Sequence, residues 1–227
     1  MSKRPLGEPH FERPILTVDV VLLTLRQGQL TVVLATRAEE PFKGRPALLG
    51  GFVRVNSDVD ADATVARVLH EKAGLSDVYV EQLRTFSGRN RDPRGWSASI
   101  AYIALLPFER FHEAAPGFVL RSADDPGDLP FDHGAIVAAA RERLRTKGAY
   151  STLPARLLPQ TFTLPEMQQV YEAVTNERLD QSSFRRKIGE LGAVEPVPGE
   201  TRRSATVRRP AQLYRLAAPI SLFDKKL

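Results

Sequence analysis

The segment that most constrains how this 227-residue chain can fold is residues 50–75. It opens on the glycine pair Gly50-Gly51, followed by Phe52-Val53 and a polar turn. It closes on Arg67-Val68-Leu69-His70-Glu71-Lys72-Ala73-Gly74-Leu75. Residues 60–73 carry the best helical pattern of the first half, with Asp58 or Asp60 as cap and Gly74 just past the end. A glycine pair ahead of such a helix lets backbone approach a neighbour closely, or simply turns the chain.

Strand patterns surround this unit. Residues 15–25 are rich in Val, Leu and Thr, Gln27-Gly28-Gln29 reads as a turn, and residues 30–36 return, which predicts a hairpin. Residues 78–86 and 97–106 give two more strands, separated by the loop 88–95. Residues 135–145 form a helix with apolar positions at 136, 137, 140 and 144. Strands, a helix, more strands and a closing helix predict a mixed sheet between helices. Asp132 is the expected N-cap of that last helix.

The pattern changes over residues 150–159, where Pro154 and Pro159 punctuate a short stretch. Thr163-Leu164-Pro165-Glu166 has the form of a capping box. Met167, Val170, Tyr171 and Val174 then follow helical spacing. A second helix starts at Asp180 or Gln181, turns Phe184, Ile188 and Leu191 inward, and stops at Gly192. Residues 194–197, a Pro198-Gly199-Glu200 turn and a strand over 212–216 complete a hairpin. Helix, turn, helix and hairpin is the order of a winged helix-turn-helix. The expected division is 1–150 and 151–227.

Charge follows the same division. Residues 181–215 hold eight Lys or Arg against three Glu, which accounts for the whole net charge of +5. Arg185-Arg186-Lys187 lie between the anchors Phe184 and Ile188, and 100° per residue keeps the two arginines off the anchored face. A helix with cations on its outer face fits the major groove. Arg202, Arg203, Arg208 and Arg209 on the hairpin would approach phosphate. The competing reading is a solvated charged face; concentration on the expected reading helix and recurrence in the expected wing favour DNA. The chain has no cysteine, which excludes disulfides and thiolate metal sites. It lacks an apolar run of membrane-spanning length and an apolar leader, so a cytoplasmic protein is expected.

The 50–75 frame resembles the Nudix box, G-x5-E-x7-R-E-U-x-E-E-x-G-U, where U is bulky and aliphatic. Gly51, Arg67, Leu69, Glu71, Gly74 and Leu75 match. The glutamate expected after Arg67 is Val68, and the one after Glu71 is Lys72. The spacing is two residues long, so the upstream glutamate falls at Ser57 or Val59. Nudix enzymes resemble one another in holding Mg²⁺ on a pyrophosphate with these carboxylates, and magnesium prefers carboxylate oxygen. Glu71 is the only remnant ligand. Asp58, Asp60 and Asp62 read as helix-start residues rather than a rescued metal site. No catalytic residue and no required cofactor are therefore expected.

Further pieces narrow the likeness: Gly88-Arg89, Asp92-Pro93-Arg94-Gly95-Trp96, Phe131-Asp132-His133, Phe184-Arg185-Arg186-Lys187-Ile188 and residues 208–215. With Gly50-Gly51-Phe52-Val53-Arg54 they resemble the Nudix-related transcriptional regulators of NAD metabolism, the NrtR family, over all but the first dozen residues. The resemblance implies an α+β chain: a Nudix-like α/β/α sandwich with a mixed sheet, then a winged helix-turn-helix. It also implies a homodimer, a palindromic operator in double-stranded DNA, and ADP-ribose or a related NAD metabolite as effector. For such a ligand, Arg37, Arg54, Arg89 and Arg94 are candidates for phosphate and Trp96 or Phe86 for stacking, with Gly50 and Gly51 allowing close backbone approach. Singly, each arginine also reads as an ordinary surface charge, Trp96 as core or dimer surface, and Glu71 as a partner of Arg67.

The leading expectation is a repressor of NAD biosynthesis or salvage genes. The alternative is an ADP-ribose pyrophosphatase with an accessory DNA-binding domain. A third, RNA binding, lacks an exposed aromatic platform.

Overall fold

The computed structural model describes residues 13–114, 117–202, 210–218, 220, 222 and 223. Strand β1 (Ile15–Arg26) is the centre of a seven-stranded sheet. It is buried on both faces, which is why it reads as a continuous apolar run rather than an alternating one. Gln27 and Gly28 both take positive φ, 51° and 76°, and close a two-residue turn into β2 (Gln29–Thr36).

Three short strands flank this hairpin: β3 (Pro46–Ala47), β4 (Leu49–Phe52) and, later, β7 (Phe118–Ser122). β4 pairs antiparallel with β1, opposing Asp19 to Gly50 and Val18 to Gly51. β5 (Tyr79–Gly88) and β6 (Ser97–Leu105) form an antiparallel pair. β6 then lies parallel to β1 in the register Asp19↔Ala101. The main path is β3-β2-β1-β6-β5, with β4 on β1 and β7 on β2. One parallel pairing among antiparallel ones makes the sheet mixed, as expected.

Helix α1 (Ala61–Ala73) covers one face. Asp60 caps it by accepting from the Ala63 N–H at 2.7 Å. Val65, Val68 and Leu69 pack on Val18, Val20, Leu22 and Tyr102. After α2 (Phe108–Ala114), helix α3 (His133–Gly148) covers the opposite face through Ile136, Val137, Ala140 and Leu144. Asp132 stands at its N-cap position but makes no capping hydrogen bond. Its carboxylate is taken by Arg91 instead.

A short 3₁₀ turn (Leu153–Leu157) leads to α4 (Leu164–Thr175) and α5 (Gln181–Glu190). The capping box on α4 is complete, with the Glu166 N–H donating to Thr163 Oγ1 and the Thr163 N–H to Glu166 Oε2. Met167, Val170, Tyr171 and Val174 are all buried. They join the same apolar cluster as the α3 face of the sheet.

The hairpin of β8 (Val194–Arg202) and β9 (Ala211–Leu216) corrects one expectation. Pro198-Gly199-Glu200 is not its tip. Pro196 pairs with Tyr214 and Thr201 with Gln212, so residues 197–200 bulge opposite Leu213 while β8 continues to Arg202. The Gln212 amide donates to the carbonyls of Val197 and Glu200 and holds the bulge in place. An irregularity of this kind carries the residues expected of a turn without reversing the strand. Arg203, Arg208 and Arg209 lie outside the described residues.

The result is an α/β/α sandwich with a mixed sheet followed by a winged helix-turn-helix. Among the described residues no helix is long and apolar enough to cross a membrane.

Candidate functional site

Two surfaces concentrate polar chemistry, a cavity beside the glycine pair and the outer face of α5. The cavity has a volume of about 510 Å³. Its wall includes Arg37, Glu39 and Glu40 from the end of β2 and the loop after it, and Gly50, Gly51 and Phe52 from β4. Lys72 of α1, Arg91, Asp92 and Arg94 of the β5–β6 loop, Asp19, Phe131 and His133 complete it.

Its floor is a buried polar network. Asp19 sits on β1, where it interrupts the strand's apolar run. Its carboxylate accepts from Ser99 Oγ at 2.6 Å and lies 3.5 Å from both Arg91 Nη2 and His133 Nε2. Burial pushes the Asp19 carboxyl up, but His133, Ser99 and Arg91 together outweigh that and hold it below the usual carboxylate range. His133 Nδ1 accepts the Leu48 N–H at 3.1 Å, so its proton belongs on Nε2, facing Asp19. Arg91 grips Asp132 with two hydrogen bonds of 3.0 and 2.9 Å and donates to Ser97 Oγ at 3.2 Å.

Gly50 is required by this floor. A methyl group there would collide with the Asp19 carboxylate and come 2.7 Å from the Val18 carbonyl oxygen. Gly51 is less constrained, since its methyl would meet Val68 Cγ2 at 3.1 Å.

The cations on the wall are not equivalent. Arg91 is spent on Asp132, and Arg94 is held by Asp92 with bonds of 3.0 and 2.7 Å. Arg37 donates to the carbonyls of Pro41 (2.8 Å) and Glu39 (3.3 Å) and lies 4.8 Å above the Phe131 ring. Lys72 donates to the Gly50 carbonyl. Among the described residues, neither Arg37 nor Lys72 has a salt-bridge partner. Partial burial and the Arg37 guanidinium hold the Lys72 ammonium below the ordinary lysine range. Burial and Arg94 do the same to Arg37. Arg37 and Lys72 thus lack a direct ion pair, while Asp19, Asp92, Glu40 and Glu71 act on them at longer range; an anionic occupant of the cavity would supply a direct partner.

Of the residues singled out for a nucleotide ligand, Arg37, Gly50, Gly51 and Arg94 line the cavity. Arg54 does not, because it forms a bidentate pair with Glu71 at 2.7 and 3.0 Å. Phe86 is buried on the α3 face of the sheet, under the Arg84 guanidinium, and cannot stack on a ligand there. The alternation of β5 decides that side. Arg89 is exposed in the β5–β6 loop, and Trp96 is 48% exposed at the sheet end, both off the cavity wall. The aromatic surfaces that do line it are Phe52 and Phe131, and Arg94 lies 5.1 Å above the Phe52 ring. Sequence reading missed Asp19 and Arg91 and gave His133 no role beyond a family motif, without support as a metal ligand; the three meet because β6 lies beside β1 and α3 starts against Leu48.

The frame carboxylates are engaged elsewhere. Asp58 accepts from Arg67 Nε and Nη2 at 2.8 and 2.7 Å, from the Arg54 N–H and from Thr64 Oγ1. Asp60 caps α1, and Asp62 accepts from the Tyr102 hydroxyl. Val68 is packed in the core.

On the second surface, α5 is fixed to α4 from beneath. Phe184 meets the Tyr171 ring edge-on at 5.6 Å, and Ile188 is fully buried. The turn between the helices is tied down by α4 itself. Gln168 Nε2 donates to the Leu179 carbonyl at 2.8 Å, and Glu172 Oε1 accepts the Leu179 N–H at 2.9 Å. Asp180 caps α5 through the Ser183 N–H. The exposed face then presents Gln181, Ser182, Ser183, Arg185 and Arg186, with Lys187 half-buried. Arg186 pairs with Glu190 at 3.3 Å, whereas Arg202 is clamped to Glu166 at 2.8 Å and joins the wing to α4.

A family model of the NrtR DNA-binding winged helix domain matches residues 154–216. The ADPR responsive transcriptional repressor NtrR of Acinetobacter baylyi is 38% identical over 213 residues, 91% of this chain and 84% of that protein. This chain belongs to the NrtR family. The NrtR of Shewanella oneidensis, solved with a 27mer DNA, superposes with a TM-score of 0.85 at 34% identity, covering 93% of this chain and 99% of that one. Its NUDIX domain, solved with ADP ribose, is 35% identical, covering 59% of this chain and 90% of that one, with a TM-score of 0.51. An ADP-ribose pyrophosphatase of Methanocaldococcus jannaschii is 39% identical over 138 residues, 56% of this chain and 73% of that enzyme.

Proposed function

We propose that this NrtR-family chain is a transcriptional repressor of NAD biosynthesis or salvage genes, with ADP-ribose or a related NAD metabolite as its effector. The observation that carries the reading is its full-length likeness to a family member solved on DNA. Arg185 and Arg186 on the exposed face of α5 supply the cations that such a surface needs. The cavity supports the effector part. Its volume suits a nucleotide, and Arg37 and Lys72 offer positive charge to a pyrophosphate. We assign Arg37, Gly50, Gly51 and Arg94 to ligand contact, and Arg185, Arg186 and Lys187 to DNA.

A homodimer would place two α5 helices on the half-sites of a palindromic operator. Effector binding that lowers operator affinity must, by reciprocity, be weakened by operator to the same factor. Anisotropy titration of labelled duplex from upstream of NAD biosynthesis genes, with and without ADP-ribose or NAD, tests the reading. Operator release on effector addition is expected, and affinity equal to that for unrelated duplex would overturn it.

The pocket binds its effector without cleaving it in this reading, since Glu71 is engaged with Arg54 and Arg67. The likeness to an ADP-ribose pyrophosphatase favours a second reading, hydrolysis. Turnover of ADP-ribose with Mg²⁺ that is abolished by Glu71→Gln would establish it.

A further inference from the structure

The Nudix frame implies a divalent ion, and the donors present do not fit one. A magnesium ion needs several hard oxygens converging at about 2.0–2.1 Å in near-octahedral array. Here the wall beside the glycine pair offers the Gly50 carbonyl, and that oxygen already accepts from Lys72 Nζ. Glu71, one residue before, is turned to Arg54 and Arg67. Val68, one helical turn before Lys72, is a buried isopropyl group. Of the other carboxylates on the wall, Asp92 is held by Arg94, Asp19 is shared among Ser99, Arg91 and His133, and Glu39 and Glu40 lie on the loop after β2 without joining a third carboxylate. Among the described residues no three His, Asp or Glu side chains converge to hold a metal.

We infer that the Lys72 ammonium stands where the divalent ion would bind, so that this pocket grips the pyrophosphate of its effector with a built-in cation and without metal. Three features of the geometry support this. The ammonium sits on the Gly50 carbonyl and so occupies the backbone oxygen that this wall offers. Among the described residues Lys72 has no carboxylate within ion-pair distance; Asp19 and Glu71 act on it only at longer range, so a phosphate can take a direct partner's place. Arg37 lines the same cavity, likewise without a carboxylate partner, so the two cations together match a doubly negative pyrophosphate. An ammonium neutralises phosphate charge and donates up to three hydrogen bonds, but it cannot supply the activated water that a metal supplies. A pocket built this way binds pyrophosphate without supplying the means to cleave it.

This inference rests on the effector reading, and its test separates the two. Full-length protein is titrated calorimetrically with ADP-ribose in excess Mg²⁺ and again in EDTA. The expected result is the same affinity in both, within about twofold. Lys72→Met should weaken binding about tenfold or more in both buffers, with an unchanged thermal midpoint, and Lys72→Arg should recover most of it. A tenfold gain in affinity on adding Mg²⁺, or wild-type affinity in Lys72→Met, would overturn the inference and leave ADP-ribose as effector. No binding in either buffer would overturn the effector reading and this inference with it.

Discussion

Arg54, in the segment that joins β4 to α1, reaches Glu71 on α1 through two parallel hydrogen bonds of 2.7 and 3.0 Å. The pairing takes the one surviving frame glutamate out of reach of a metal and, with Arg67, holds its carboxyl below the usual range. Glu71→Gln should therefore leave ADP-ribose affinity unchanged and create no dependence on Mg²⁺. Calorimetry on the variant checks this, and a large loss of affinity would place Glu71 in the binding surface.

Gly50→Ala is expected to disable the cavity. The added methyl group meets the Asp19 carboxylate and the Val18 carbonyl, neither of which can retreat from the centre of a sheet. Overpacking of this kind costs about 1–3 kcal/mol. A lowered thermal midpoint together with lost ADP-ribose binding is the expected outcome. Gly51→Ala, which meets only the Val68 methyl, should be milder.

Asp58 gives a pH dependence whose sign is fixed by Arg67. Hydrogen bonds from Arg67, set against desolvation and aided by the Arg54 N–H and Thr64, hold its carboxyl below the ordinary value of 3.8. A depressed folded-state value means that the folded chain favours the ionised form. The stabilisation is complete above the unfolded value and is lost as pH falls through and below about 4. Thermal midpoints measured from about pH 6 down to pH 3 should fall for the wild type and fall less steeply for Asp58→Asn.

Arg185→Ala and Arg186→Ala should each weaken operator binding without lowering thermal stability. If the side chain neutralises one phosphate, the slope of log K against log salt should shrink by about 0.9 per substitution. Anisotropy titrations across a salt series read this directly. An equal loss of thermal stability would make these residues structural.

Phe184→Ala acts through packing instead. The ring is buried between α4 and α5 against Tyr171, and its removal should cost about 3–5 kcal/mol. Chemical denaturation would show the loss, and operator binding would fall with the folded fraction.

Local signals made much of this legible in the sequence. The Thr163–Glu166 capping box, the Asp60 and Asp180 caps and the Met167–Val174 stripe depend on residues within a few turns of one another. The structure forms each of them. The cavity floor depends on long-range pairing. Asp19, Arg91 and His133 are far apart in the chain and meet because β1 lies beside β6 and α3 starts against Leu48. Nothing in the local pattern marks Asp19 as more than an interruption of an apolar strand. The wing failed for another reason: Pro198-Gly199-Glu200 carries turn residues, and only pairing across to β9 reveals a bulge. Phe86 failed on facing, since a strand's alternation gives two faces but does not say which holds the ligand.

The apolar cluster beneath α3 has one more consequence. Val21, Leu23 and Ile136 from the sandwich share it with Met167, Tyr171 and Phe184 from the winged module, and Gly148 at the end of α3 lies close against Pro154 and Val174. A cut at residue 151 would leave two raw, oily surfaces facing water. The winged module is thus no detachable cargo, and its orientation is inherited from the sandwich on which it is seated.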